Sequence, residues 1–157
     1  MNLVQVYSNP IGRFKGDNYI LVGSKINDII DKIYIDQFGN LYVPSGDLKF
    51  DYEGRYWYVG DKLICYGGSS NPKAPPVSIG FTPIKYDSKG RVEYVGKIRI
   101  GFDYYGRVSY LASKMPVYYR GEGFTTQIST IGSHSFTNYF NAVEKLYWDY
   151  SFDNRVD

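Results

Sequence analysis

One short phrase recurs four times in this chain and constrains its fold more than any other feature. The phrase is Asp-x-x-Gly, preceded each time by an aromatic or branched residue, and its copies begin at Asp36, Asp51, Asp87 and Asp103. Arginine follows the glycine in the last three copies, at Arg55, Arg91 and Arg107. The aspartate can accept hydrogen bonds from the next backbone N–H groups, and the glycine can adopt the positive φ that returns a three-residue turn to its strand. Each copy therefore predicts a β-hairpin.

The four copies form two pairs. Asp36 and Asp51 are 15 residues apart, and Asp87 and Asp103 are 16 apart. A unit of that length holds two strands of about 5 residues and two turns. Between the turns, apolar and polar residues alternate, as in 97–102, which is typical of an antiparallel sheet with one solvated face. We predict a mainly β protein, an antiparallel β-meander of repeated hairpins arranged as an open sheet, a sandwich or a barrel.

A stretch rich in Gly, Ser and Pro divides the repeats. We predict a single domain over residues 1–157, with lobes 1–66 and 78–157 joined by the connector 67–77. The composition of the connector does not suit a sheet interior, so it is either an exposed linker or a functional loop. Nearer the N-terminus, the segment 25–33 has isoleucines at helical spacing and fits a helix or a strand.

The C-terminal region changes character. The residues with i, i+3, i+4, i+7 spacing are Phe136, Tyr139, Phe140, Val143, Leu146 and Tyr147. This spacing predicts one amphipathic helix from Ser135 to about Asp149. We expect it to pack on the sheet and close the core; a partner-binding helix is the alternative.

Tyrosine is in excess, with 18 in the chain beside 9 Phe and 2 Trp. Tyrosine favours pleated, half-buried surfaces and tolerates water at its hydroxyl, and it is also common in binding surfaces. The net charge of +2 gives no whole-molecule field to attract nucleic acid or a membrane.

The positive charge is concentrated between Lys85 and Arg120. This segment has eight basic and three acidic residues, a net of +5, so the remainder sums to −3. The candidate binding residues are Arg91, Tyr94, Arg99, Tyr104, Tyr105 and Arg107. Basic side chains interleaved with aromatic ones suit a protein partner with an acidic surface, and also nucleic acid or an anionic small ligand. The alternative is that they only keep the sheet solvated and blunt its edges.

Motifs for catalysis, cofactors and metals are missing from the sequence. His134 is the one histidine, and Cys65 lies in an apolar strand segment, where it resembles a small hydrophobic residue. One Asp per turn does not make a calcium loop, and Gly67-Gly68 is not followed by the lysine and helix of a phosphate loop. We predict a protein that is not an enzyme and binds no cofactor or metal.

The lone cysteine excludes an internal disulfide, which favours either a reducing compartment or a protein that is indifferent to the redox state of its surroundings. The first residues lack a cationic stretch followed by a long apolar run, and no segment reaches the roughly 20 apolar residues of a membrane span. The expected location is cytoplasmic and away from the membrane; a secreted protein whose leader has been removed would look the same.

The run from Tyr86 to Val92 (Tyr-Asp-Ser-Lys-Gly-Arg-Val) and that from Phe102 to Val108 (Phe-Asp-Tyr-Tyr-Gly-Arg-Val) resemble the YD repeats of RHS-type proteins. Those repeats carry Tyr-Asp-x-x-Gly-Arg followed by a branched residue, and short bacterial β-repeat proteins with the same phrase are similar. The resemblance covers some 70 residues, from Ile35 to Leu111 without the connector. The repeats of this chain are shorter and fewer, and they end in a predicted helix. The resemblance implies a β-meander of hairpins and non-enzymatic character.

These observations favour a non-enzymatic binding protein that holds another macromolecule, a protein first of all, on an exposed Tyr/Arg/Lys-rich sheet face. A phage or bacterial accessory or defence-modulating factor would fit this description. The first alternative is a binder of a nucleotide or sugar, with a pocket between sheet and helix. The second is a structural subunit that self-assembles through free sheet edges.

Overall fold

The structure is a computed structural model that describes residues 2–11, 14–23, 25–26, 29–112, 115–121, 126–132 and 134–136. Within this part of the chain the backbone forms strands and no helix. The first six strands are β1 (Leu3–Tyr7), β2 (Tyr19–Leu21), β3 (Lys25–Ile26), β4 (Ile29–Ile30), β5 (Tyr34–Asp36) and β6 (Leu41–Pro44). The next six are β7 (Leu48–Phe50), β8 (Tyr56–Val59), β9 (Lys62–Cys65), β10 (Ser78–Ile79), β11 (Thr82–Tyr86) and β12 (Val92–Val95). The last five are β13 (Ile98–Phe102), β14 (Val108–Leu111), β15 (Met115–Arg120), β16 (Gln127–Ile131) and β17 (His134–Ser135).

The N-terminal strands form a small antiparallel sheet in the order β1-β6-β5-β2. Strands β3 and β4 pair only with each other, as a short hairpin. The segment 25–33, whose sequence fits both a helix and a strand, therefore supplies strands. Isoleucine, which is branched at Cβ, favours the pleated conformation over a helix.

Strands β7 to β17 form one eleven-stranded antiparallel sheet in which every strand pairs with its neighbours along the chain. The sheet is open, with β7 and β17 at its edges. Strand β9 pairs with β10 on the far side of the connector, so the sheet is continuous across residues 67–77. The prediction of a mainly β, antiparallel meander is confirmed, with an open large sheet.

The register separates the large sheet into two faces. On the inner face, Ile84, Val95 and Ile98 are successive cross-strand neighbours, and all three are buried. The other buried members of this face are Val59, Ile64, Ile79, Thr82, Val92, Ile100, Val108, Leu111, Val117, Ile128 and Ile131. Apart from Thr82, they belong to the same hydrophobic core as Ile35 and Val43 of the small sheet and Ile33 just before β5. The apolar residues of the predicted alternation thus lie between the two sheets.

We call the opposite side of the large sheet the outer face. Its rows of cross-strand neighbours are Lys49, Tyr58 and Leu63; Cys65, Ser78 and Pro83; Lys85, Tyr94 and Arg99; Gly101, Tyr110 and Pro116; and Tyr118, Thr130 and Ser135. Apart from Gly101, none of these residues is buried. The outer face is therefore a solvated surface of tyrosines with scattered cations.

Four hairpins of the large sheet contain a bulge at the same place. In each hairpin one residue of the second strand has no partner in the register of the pair: Trp57, Glu93, Ser109 and Ser129. An extra residue on one strand bends it and increases the local right-handed twist. The repeated bulges therefore add twist to the large sheet at regular intervals.

Buried polar side chains join the two sheets. Gln37 accepts a bond from Val108 N through its backbone carbonyl (2.9 Å) and donates from Nε2 to Thr126 O (3.3 Å). Asn18 Oδ1 accepts from Ile128 N at 2.7 Å. These bonds fix the small sheet against β14 and β16.

Asp31 makes a second connection between the N-terminal region and the large sheet. Its Oδ1 lies 3.0 Å from Lys62 Nζ, and its Oδ2 accepts from Phe81 N and Thr82 Oγ1 at 2.8 Å each. The carboxylate is buried, and its bonds and the lysine offset the cost of removing it from water.

The predicted C-terminal helix falls mostly outside the described residues, which end at Phe136. Ser135, proposed as its first residue, instead ends β17, where it pairs with Thr130. The helix over the remaining residues stays a prediction. In the part of the chain that the structure describes, no helix is long and apolar enough to cross a membrane.

Candidate functional site

The three Asp-x-x-Gly-Arg turns share one geometry. In each, Oδ1 of the aspartate accepts from the backbone N–H two residues on (2.9 Å) and four residues on (3.0 Å). Oδ2 accepts from the arginine Nε at 2.7–2.9 Å. The glycines have φ of 80–83°, a conformation that costs glycine no strain. The conformation of each turn is therefore fixed by its own residues.

Each turn arginine also lies over an aromatic ring of the next hairpin. Arg55 is 4.2 Å from the centroid of the Tyr66 ring, and Arg91 is 4.8 Å from that of Phe102. Arg107 lies 4.4 Å from the ring of Tyr119. A cation–π contact thus connects each turn to the first strand after its own hairpin, at Phe102 in β13 and Tyr119 in β15, or to the residue directly after that strand, Tyr66 after β9.

Two of these rings belong to tyrosines, and their hydroxyls donate hydrogen bonds to backbone carbonyls. Tyr66 OH donates to Tyr56 O at 2.8 Å, and Tyr119 OH donates to Val108 O. Each acceptor carbonyl belongs to the residue after a turn arginine. Burial raises the pKa of Tyr66 to about 12, so its hydroxyl stays protonated as a donor at neutral pH.

The turn geometry also shifts the acidity of two of the aspartates. Desolvation raises the pKa of Asp87, but hydrogen bonds from the Arg91 guanidinium, the Arg91 N–H and the Lys89 N–H outweigh it, and the net pKa is lowered. The pKa of Asp51 is lowered for the same reasons, against a desolvation that acts in the opposite direction. These carboxylates are therefore ionised turn elements at neutral pH, each with its arginine already bound.

Arg91 and Arg107, two of the predicted binding residues, take part in these turns. Their Nε atoms bond Asp87 and Asp103, and their planes lie on rings. Both side chains hold the hairpins in shape, and what each can offer a ligand is the part of its guanidinium that remains accessible.

Tyr94 and Arg99, also predicted, are direct cross-strand neighbours on the outer face. Lys85 is the neighbour of Tyr94 on the other side, so the three side chains form a row across β11, β12 and β13. Opposite residues in an antiparallel pair have Cβ atoms about 5 Å apart. Lys85 and Arg99 are exposed, and neither forms an ion pair with another described residue. This row is a cationic patch with a tyrosine at its centre.

Tyr104 and Tyr105 lie at the tip of the β13–β14 hairpin, where they are 96% and 76% exposed. Their rings meet edge to face with centroids 5.5 Å apart, and Arg107 lies 5.2 Å from the Tyr105 ring. The predicted residues thus fall into the outer-face row, this tip, and Arg91 at the neighbouring β11–β12 tip.

The sequence-based site omitted several residues that the register adds to the outer face. Lys85 completes the row, and Tyr110, Pro116 and Tyr118 continue the surface toward β15. The i, i+2 alternation from Pro83 to Lys85 could have suggested Lys85. The neighbours across strands depend on the bulges, which the alternation does not reveal.

A groove of about 430 Å³ lies between β1, the β7–β8 hairpin and the connector. Its lining consists of Val6, Tyr7, Ser8, Phe50, Gly54, Arg55, Tyr56, Tyr66, Pro72, Lys73, Ala74 and Pro76. Arg55 fixes one wall, because its Nη1 donates to Ser69 O at 2.8 Å and Asn71 O at 2.9 Å. The connector is therefore held in place at this groove.

Within the described ranges, no group of three or more His, Cys, Asp and Glu side chains is arranged to hold a metal ion. Comparison of the chain with family models, with curated proteins and with solved structures gave no match. The candidate sites are thus defined by geometry alone: the outer-face row, the tyrosine tip and the aromatic groove.

Proposed function

We propose that this chain is a non-enzymatic binding protein that holds an acidic protein partner on its outer face, centred on Lys85, Tyr94 and Arg99. The observation that carries the proposal is that Lys85 and Arg99 flank Tyr94 on a solvated sheet face and form no ion pair with a described residue. The turn arginines, in contrast, already bind aspartates and rings.

The chemistry of this row suits protein recognition. Tyrosine and arginine are enriched at protein interfaces, because both give large contact areas together with hydrogen bonds. Free cations beside the tyrosine favour a partner with acidic side chains and speed the encounter with it. The sheet behind the row is a rigid support, since Val95, Ile98 and Ile100 are buried beneath it.

A pull-down with matched variants tests this proposal. The face variant is Tyr94→Ser/Arg99→Glu. Its control is Tyr52→Ser/Lys15→Glu, which removes one tyrosine and changes the charge by the same amount at exposed positions outside the row. We expect the wild type and the control to retain the same partner from nuclease-treated lysate of the source cells, and the face variant to lose it. The proposal fails if a folded wild type retains no specific protein, or if all three retain the same set equally. A partner that is retained from untreated lysate and lost after nuclease treatment would instead indicate a nucleic acid.

A second candidate function, binding of a nucleotide or sugar, is supported by the groove beside β1. Four aromatic residues and two cations line it, with Phe50 tilted 30° from Tyr56 at a centroid distance of 5.2 Å. Such rings can stack on a base or a sugar face. A thermal-shift screen with nucleotides and sugars should raise the melting temperature of the wild type and raise it less for Phe50→Ser. No shift with any compound, or an equal shift in both proteins, would argue against this function.

A further inference from the structure

The C-terminal segment 137–157 is complementary in composition to the outer face. It contains four acidic residues and two basic ones, a net of −2, and six aromatic residues. The acidic ones are Glu144, Asp149, Asp153 and Asp157. The row that it would meet presents Lys85 and Arg99 around Tyr94, with Glu93 as the acidic neighbour along the strand.

We propose that residues 137–157 of this chain bind the outer face in cis and compete there with the protein partner. The competition rests on the proposed function; the contact between segment and face does not. A tethered segment acts at an effective concentration on the order of millimolar, so a weak complementary contact is enough to occupy the face most of the time.

The segment can reach the row. It begins directly after Phe136, which follows β17 at the edge of the large sheet. From β17 to the three strands of the row, β13, β12 and β11, there are four to six strand spacings, roughly 19–29 Å at about 4.8 Å each. A helix over residues 137–149, as the periodicity predicts, would be about 20 Å long, and the eight residues 150–157 that follow it are enough to span the two further spacings to β11. Since β17 is an edge, the chain can pass around it to the outer face without crossing another strand.

The inner face offers the segment little room. Ile128 and Ile131 beside β17 are buried, and Phe136 already occupies the core there. The outer face at the same edge presents Tyr118, which is more than half exposed, and beyond it Pro116 and Tyr110. A segment with an aromatic stripe and acidic residues can cover these tyrosines and approach the two cations together.

Trp148 gives a direct test, because the chain has only one other tryptophan, Trp57. In the Trp57→Phe variant of the chain 1–157, Trp148 is the single tryptophan and reports on the segment. We expect Lys85→Glu/Arg99→Glu in this background to move its emission to longer wavelength and to increase its quenching by acrylamide. High salt should move the emission of the parent in the same direction, since it screens the attraction.

The matched control is Lys15→Glu/Lys73→Glu, with the same change in charge. An unchanged Trp148 signal in the control supports the outer face as the binding site. A response in the control and not in the face variant would place the segment at the groove, which Lys73 lines, and would overturn the proposal. An unchanged signal in both variants would overturn it as well.

Zero-length carbodiimide cross-linking of the wild type supplies a second measurement that needs no variant. We expect links from Lys85 to an acidic residue of the segment within one molecule, and their absence contradicts the contact. If the Trp148 signal changes in the face variant but the pull-down retains no partner, the contact between segment and face stands and the proposed function fails. If the pull-down retains a partner that the face variant loses but the Trp148 signal does not change, the proposed function stands and the contact fails.

Discussion

Asn40 donates from Nδ2 to Oδ2 of Asp36 at 2.8 Å, in the place where Arg91 Nε bonds Asp87 Oδ2 at 2.7 Å. The rest of the first turn matches the others: Asp36 Oδ1 accepts from Phe38 N at 2.9 Å and from Asn40 N at 3.1 Å. The amide of Asn40 thus replaces the arginine in an otherwise identical turn.

The reason for the replacement is burial. Asp36 is fully buried, and its Oδ2 also accepts from Gly16 N at 3.0 Å and Tyr42 OH at 2.6 Å. The first turn packs under the large sheet, where Gly39 faces the ring of Phe102. A guanidinium needs more space and more water than this position provides, whereas a carboxamide supplies the same N–H bond without charge.

Placing arginine in the buried first turn should therefore cost more stability than placing asparagine in one of the exposed turns. Asn40→Arg forces a long cationic side chain into a packed interface and should destabilise the protein by roughly 3 kcal/mol. Arg107→Asn keeps a short donor for Asp103 and loses the ring contact, at a cost of about 1 kcal/mol. Urea denaturation at neutral pH measures both free energies of unfolding. Equal costs would show that burial does not explain the replacement.

Substitution of the turn glycines should likewise cost more stability in the buried first turn than in an exposed turn. Gly54 has φ of 80° and open space where a Cβ would lie, so Gly54→Ala should cost about 1 kcal/mol of backbone strain. A Cβ at Gly39 would lie 2.9 Å from Phe102 Cε1 and 3.2 Å from Asn9 Nδ2. We expect Gly39→Ala to cost about 3 kcal/mol, since steric overlap adds to the strain. Thermal or urea unfolding would contradict this account if the two substitutions had the same effect.

The hydroxyl of Tyr66 should contribute to stability separately from its ring. Tyr66→Phe keeps the contact with Arg55 and removes the bond to Tyr56 O, which should cost about 1 kcal/mol. Tyr104→Phe is the control, because this side chain is almost fully exposed at a hairpin tip, and its effect should be close to zero. An unchanged free energy of unfolding for Tyr66→Phe would mean that water satisfies both groups equally well.

The turn aspartates should make the folded protein less stable as the pH falls into the acid range. The pKa of Asp87 is lowered in the folded protein, so its contribution is present above the unfolded value of about 3.9 and is lost as pH falls through the folded value. Asp87→Asn should cost about 1 kcal/mol at pH 7 and flatten the decline in stability between pH 5 and pH 2. Denaturation series across this range would reject the idea if the wild-type and variant curves ran parallel.

The hairpins were predictable because their determinants are local. Asp87, Gly90 and Arg91 lie within five residues, and bonds among them set the turn whatever surrounds it. The alternation around Ile98 and Ile100 likewise identified the buried face. The candidate site was less predictable, since Lys85 and Tyr94 meet next to a bulge at Glu93 in the β11–β12 pairing, and Tyr94 meets Arg99 only through the pairing of β12 with β13.

The sequence by itself determined where the chain reverses and which side of each strand is apolar, because glycine φ, aspartate bonding and the two-residue period act over a few residues. Only the tertiary structure decided that the turn at Asp36 belongs to a separate sheet, that β9 and β10 pair across the connector, and that Lys85, Tyr94 and Arg99 share one row. These relationships depend on which strands meet and which surfaces are buried together. Their free energies come from contacts between residues far apart in the chain, and no short pattern encodes them.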